Sequence, residues 1–222
     1  MNKEEFIKEL KKLGVELSTI QQQQLEEYYN LLIDWNNRIN LTRIVEKEDV
    51  YLKHFYDSIT LCKVVDLNKE IKLCDIGTGA GFPGLVLKIV FPTLSVTLID
   101  SLLKRVNFLN FVIQKLQLKD VIAIHTRGED YAKENSEKFD IVTSRAVAKL
   151  SILSKICIPL CKIDGYFVPM KANCSVEIEE AKKTLEKMNS KIIQIEEFEL
   201  PIENSHRTLL KIIKKKSSKN EK

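Results

Sequence analysis

The hydrophobic positions of this chain change period near residue 70. Before it, apolar residues recur every three or four places: Phe6, Ile7, Leu10 and Leu13, then Leu25, Tyr28, Leu32 and Trp35 or Ile39. That spacing predicts amphipathic helices. Gly14 stands where a helix C-terminal glycine belongs. Ser18 to Gln21 reads as a capping box opening the second helix, and a third helical stretch is predicted over about residues 47–65. After residue 70, short apolar runs alternate with amphipathic segments. Residues 71–76, 96–100, 121–125 and 139–143 read as buried parallel strands, with helices over 84–91 and 103–116 between them. Further strands are predicted at 165–171, 192–199 and 207–213, with a helix over 175–188.

This alternation predicts an α/β fold, a mainly parallel sheet with helices on both faces. It also divides the chain into a helical N-terminal cap (1–66), a larger α/β unit (67–213) and a lysine-rich tail (214–222). Such sheets bind ligands at the carboxyl ends of their strands, near the switch point. Chemistry is therefore expected at the ends of the first, second and fourth strands.

Length and composition narrow the class. The chain has 222 residues, about one and a half times a ~150-residue domain. With 44% hydrophobic and 30% charged residues, it reads as a folded soluble protein. No apolar run approaches the ~18 residues that span a bilayer, so no membrane is expected. Acids directly after Lys3 do not suit a signal peptide. Five cysteines without CxxC spacing argue against a disulfide framework or a zinc site, and for a reducing cytoplasm. The net charge of +4 is local: residues 211–222 hold six lysines and one glutamate, +5, so the remainder sums to −1.

The first strand runs into Cys74-Asp75-Ile76-Gly77-Thr78-Gly79-Ala80-Gly81-Phe82-Pro83-Gly84. Gly77, Gly79 and Gly81 let the chain turn tightly and let a ligand lie on bare backbone. Pro83 suits the first turn of the next helix. Asp100 ends the next strand, 23 residues after Gly77, where a carboxylate can accept the ribose hydroxyls of a nucleoside. Asp75 beside the loop would repel a pyrophosphate but suits a cationic ligand bearing an amino acid. The electrostatics favour S-adenosylmethionine over NAD.

The strings DIGTGAGFPG, LIDSLLKRVNFL, RGED and SRAVA, with WNNRINLT at 35–42 and HFYDSI at 54–59, together resemble the RsmG (GidB, glucose-inhibited division protein B) family. The resemblance runs from about residue 18 to 213 and omits the lysine tail. It implies a Rossmann-like class I methyltransferase fold. The implied activity is transfer of a methyl group from S-adenosylmethionine to N7 of one guanine in the decoding region of 16S rRNA, in free rRNA or the small ribosomal subunit, with no stable protein partner. It carries cofactor contacts over to Gly77, Phe82, Gly128, Glu129 and Arg145, that of Gly128 through backbone.

Arginine usage supports a recognition surface independently. The chain has 29 lysines and six arginines, a bias that should leave arginine where a planar, bidentate fork is required. Arg127, Arg145 and Arg207 are the expected RNA contacts, Lys104 and Arg105 are expected to brace the helix after Asp100, and about two of the six are expected merely to pair with carboxylates. His54, His125 and His206 are scattered and read as structural. Cys157 and Cys161 read as small buried hydrophobes, and Phe6, Trp35 and Phe55 as core. Neither an Asn/Asp-Pro-Pro-aromatic segment nor a Pro-Cys nucleophile is present, which fits attack by a ring nitrogen without a general base. Two rival readings stand: an RNA-binding assembly factor that holds the cofactor without turnover, and an NAD-dependent oxidoreductase.

Overall fold

The computed structural model describes residues 1–145 and 148–216. Helix α1 (Lys3–Lys12) opens with a capping box from Asn2 and Glu5. Helix α2 (Thr19–Ile39) opens with the expected box between Ser18 and Gln21. Its period-3.6 stripe of Leu25, Tyr28 and Leu32 is buried, as amphipathic spacing requires. The predicted third helix is irregular. α3 (Lys47–Val50) passes into a π-helical stretch (Tyr51–Tyr56), then α4 (Asp57–Ile59) and a 3-10 turn (Thr60–Lys63). A π turn inserts an extra residue and re-aims the side chains beyond it. Here it brings Lys53, His54 and Asp57 to one partner, Arg145.

The remainder alternates as expected: β1 (Lys72–Ile76), α5 (Gly84–Val90), β2 (Ser95–Asp100), α6 (Leu103–Lys115), β3 (Val121–His125), α7 (Gly128–Glu134), β4 (Phe139–Ser144), α8 (Leu150–Leu160), β5 (Cys161–Lys171), α9 (Ser175–Lys187), β6 (Ser190–Glu199) and β7 (His206–Lys214). Among the described residues the strands form one sheet of order β3-β2-β1-β4-β5-β7-β6. β1 to β5 pair in parallel, whereas β7 runs antiparallel to both β5 and β6. Two helices escaped the periodicity. α7 is polar almost throughout, and α8 is apolar nearly all round and contains Pro159.

Alternation along each strand separates two cores. Leu73, Ile141, Val168 and Leu209 face the cluster that holds α1, α2, α5 and α6. Cys74, Val142, Phe167 and Leu210 face the cluster under α7, α8 and α9. This is the period-2 pattern of a sheet covered on both faces. The N-terminal helices thus share a core with the sheet. Polar ties reinforce it: Gln21 donates to the carbonyls of Ile89 and Val90, and Gln24 to that of Leu116.

The tail boundary differs from expectation by one residue, because Lys214 ends β7. Its ammonium pairs with Glu137 at 3.1 Å and donates to the Cys161 carbonyl at 2.9 Å. Residues 217–222 of the tail, and Ala146 and Val147 of the SRAVA segment, lie outside the described residues.

Candidate active site

The chain reverses its direction of spread between β1 and β4, which are neighbours in the sheet. The carboxyl ends of β1, β2 and β3 frame a cavity of about 350 Å³. Gly77 lies on its floor at φ +70°, with open space where a side chain would project. Gly79 is also left-handed, at φ +62°. Ile76, Ile99 and Ile156 form apolar walls, and Asp100, Arg105, Arg127 and Glu129 supply charge. Gly128 closes one side, where a Cβ would meet Ile76 and Ile156 at 2.9 Å.

Asp100 organises this end of the sheet. Its Oδ2 accepts the Gly79 amide at 2.9 Å and Nη1 of Arg105 at 3.3 Å, and its Oδ1 accepts the Leu102 amide at 2.9 Å. The acid expected to meet ribose hydroxyls therefore also carries the glycine loop. Arg105 braces the start of α6 as anticipated, and its Nε is buried without a partner among the described residues.

Several expected ligand contacts sit elsewhere. Asp75 is fully buried beneath the loop and does not line the cavity. Its Oδ2 accepts the Thr78 hydroxyl at 2.7 Å and the Gly84 amide at 2.8 Å, while Oδ1 has no partner among the described residues. Burial lifts its pKa to about 6, against the lowering effect of those two hydrogen bonds. Its geometry is that of a loop-former. Gly81 faces inward onto the Tyr28 hydroxyl, which donates to the Ala80 carbonyl. Phe82 is 5% exposed and stacks on His54 at 4.3 Å between centroids, with Tyr28 5.6 Å away. Apolar surface so enclosed belongs to the core.

A second group of polar residues gathers at the ends of β4 and β7. Antiparallel β7 starts where β5 finishes, Thr208 opposite Lys171, so Arg207 joins Arg145 from the far side of the chain. Both bind Asp57: Arg145 Nη1 to Oδ2 at 3.1 Å and Arg207 Nε to Oδ1 at 3.0 Å. Arg145 also donates to the Lys53 carbonyl at 2.8 Å, lies 3.0 Å from His54 Nδ1 and covers the Phe82 ring. His54 Nδ1 also lies 3.2 Å from the Lys53 carbonyl, and its Nε2 lies 2.9 Å from Thr42 Oγ1. Burial, then the Arg145 charge, push its pKa down to about 3. His54 is thus buried and fully engaged, in contact with Arg145 and Phe82.

Of the expected RNA arginines, Arg127 alone is exposed at the cavity rim; Arg145, expected at the cofactor as well, does not line the cavity, and it and Arg207 are about four-fifths buried. Carboxylate pairing is commoner than expected. Four of the six arginines pair with acids: Arg38, Arg105, Arg145 and Arg207. Ile76, Ile99, Ser101, Arg105, Thr126 and Ile156 also wall the cavity, beyond the contacts expected from sequence. Adjacency to Gly77 and Asp100 could have flagged Ile76, Ile99 and Ser101. Ile156 carried no signal, because α8 was not foreseen.

The cavity fits a nucleoside bearing a cation: bare backbone at Gly77, apolar walls for a base, and two carboxylates. A parallel sheet with one reversed strand, its first glycine turn opening on such a cavity, defines a class I S-adenosylmethionine-dependent methyltransferase. Within that class the chain belongs to the rRNA small subunit methyltransferase G (GidB) family, whose model matches residues 21–207. It is 48% identical over 221 residues to the ribosomal RNA small subunit methyltransferases G of Bacillus thuringiensis (strain Al Hakam) and Bacillus cereus (strain AH187), covering 98% of this chain and 92% of each relative. Among solved structures it resembles M. jannaschii TYW2 in complex with AdoMet, with TM-score 0.61, 18% identity, and 78% and 80% of the two chains covered. It also resembles the YcgJ protein from Bacillus subtilis, with TM-score 0.57, 14% identity, and 74% and 100% covered. Both likenesses concern the fold.

Proposed function

We propose that this protein methylates N7 of a guanine in the decoding region of 16S rRNA, presented as free rRNA or within the small ribosomal subunit. The observation that supports this most is the pairing of family membership with a glycine loop that touches two places at once. Gly77 opens onto the nucleoside cavity, while Phe82 lies against His54 and Arg145.

S-adenosylmethionine, when bound, supplies a methyl group already activated on a sulfonium. Gly77, Gly128, Glu129 and Asp100 would hold it, with Ile76, Ile99 and Ile156 against the base. Asp75, Gly79, Gly81 and Phe82 would act one layer below, shaping the loop. Arg127, Arg145 and Arg207 would bind RNA phosphates and hold the base. Guanine N7 has an in-plane lone pair and is largely unprotonated near neutral pH, so no side chain has to remove a proton. What the residues must supply is alignment and exclusion of water.

In this reading residues 1–66 form a helical cap on the 67–213 transfer unit, and the lysine-rich tail beyond Lys214 adds charge. The free cysteines suit a cytoplasmic location. The test is incubation with tritiated S-adenosylmethionine and small ribosomal subunits, with mapping of the label afterwards. Label at one guanine N7 is expected. Label on an exocyclic amine, or cofactor binding without transfer, would overturn the reading.

A further inference from the structure

The Arg145–Asp57–Arg207 arrangement is more constrained than an ordinary ion pair. Asp57 is 4% exposed and comes from α4, at the end of the π-helical stretch. Each of its oxygens takes a different guanidinium, one from the end of β4 and one from the start of β7. The carboxylate is sealed, whereas the two arginine side chains remain 19% and 21% exposed. Further anchors fix their orientation: the Lys53 carbonyl and His54 Nδ1 for Arg145, and the His206 carbonyl for Arg207. The segment is itself tied down, because Lys53 pairs with Asp49 and with Glu203, beyond β6.

Two guanidinium groups repel each other unless a carboxylate lies between them. One shared carboxylate offsets half of that charge, so with neutral His54 the cluster keeps a net charge of +1. No partner among the described residues takes Nη2 of Arg207. Nη2 of Arg207, fixed in the plane set by Nε and Nη1, is a charged donor suited to a phosphate oxygen.

We propose that Asp57 is a positioning residue: it holds Arg145 and Arg207 side by side so that together they grip one phosphodiester segment of the RNA substrate. This rests on the functional reading above. Asp57 itself does not touch RNA, and acts through the arginines. The N-terminal helices would then supply the carboxylate without which the sheet's arginines are misplaced.

The test compares Asp57→Asn, Asp57→Glu, Arg207→Ala and the double variant Asp57→Asn/Arg207→Ala with wild type. Active molecules are counted by calorimetric stoichiometry with S-adenosylhomocysteine, so that loss of folded protein is not read as loss of function. Per competent molecule, Asp57→Asn should lower kcat/KM for small subunits roughly 30- to 100-fold and weaken rRNA-fragment binding by anisotropy, with cofactor Kd within about threefold. Asp57→Glu, which restores the charge, should recover part of the loss. The double variant should lose less than the sum of the two single losses in free energy, because the Asp57–Arg207 contact is counted in both, while the Arg145 part of the Asp57 loss remains. Full activity of Asp57→Asn per competent molecule, or additive losses in the double variant, would overturn the inference while leaving the functional reading intact. A wild-type protein that transfers no methyl to free 16S rRNA or to the small subunit would overturn both.

Discussion

The Gly79 amide donates to Asp100 Oδ2 at 2.9 Å, so the glycine loop that leaves β1 hangs from the acid that ends β2. One carboxylate thereby both shapes the loop and borders the cavity. The loop's conformation and the cavity's charge cannot be varied independently. This coupling sets the first prediction.

Asp100→Ala removes acceptors from two backbone amides and from Arg105. Hydrogen bonds to a buried charge contribute about 1.5–3 kcal/mol each. Thermal stability should fall by several degrees, and S-adenosylmethionine affinity by at least about thirtyfold in calorimetry. Asp100→Asn, which retains an acceptor oxygen, should be milder on both counts. An alanine variant that binds cofactor within threefold of wild type would refute the assignment.

Gly77→Val places a β-branched side chain at φ +70°, where L-residues are strained, and projects it into the open space of the cavity. A folded protein with no detectable S-adenosylmethionine heat is expected. If wild type instead binds NAD and gives no S-adenosylmethionine heat, the cavity has been assigned to the wrong nucleoside.

Stability between pH 6.5 and 5 should reflect two buried groups with opposite signs. His54 titrates near 3 when folded and near 6.5 when unfolded, so its contribution is complete above 6.5 and declines on acidification. Asp75 titrates near 6 when folded, above its ordinary 3.8, so it costs stability at neutral pH and gives some back below 6. The His54 window is wider and starts higher, which predicts a small net loss, about 0.5 kcal/mol, by pH 5. In His54→Gln the slope should reverse, because Asp75 alone then titrates in this range. Urea midpoints measured across this range check it, and an unchanged slope in the variant would mean that His54 is not the group responsible.

His125 and His206 are exposed, and neither serves the proposed chemistry. His125→Gln and His206→Gln should keep kcat within roughly tenfold, since a lost general base typically costs 10²–10⁴-fold. A thousandfold loss with cofactor affinity intact would point to a proton transfer, and to an acceptor other than N7.

Arg127 stands exposed at the cavity rim. Arg127→Ala should weaken RNA binding and reduce the salt slope by about one unit. Deletion of residues 217–222 should cost less activity. A deletion that began at 214 would also remove the contacts of Lys214 to Glu137 and Cys161, and would confuse folding with binding. An inactive but folded 217–222 deletion would reverse the ranking.

Local pattern was enough for much of this protein. The stripe of α2, the Ser18–Gln21 box, strands β1 to β4 and the Gly77–Asp100 pairing are properties of spacing and residue type over a few turns of chain, and are readable without tertiary contacts. Burial is different, because it depends on what arrives from elsewhere. Asp75 and Phe82 carry the right motif for ligand contact, but residues distant in sequence, Tyr28 and His54 among them, enclose Phe82, while the turn to Gly84 folds over Asp75. Arg145 and Arg207 were singled out by type. That they share Asp57, 88 and 150 residues away along the chain, is decided only when the π-helical segment, β4 and β7 meet at one end of the sheet. Two like charges and one carboxylate have no sequence signature, since the attraction that joins them acts through space.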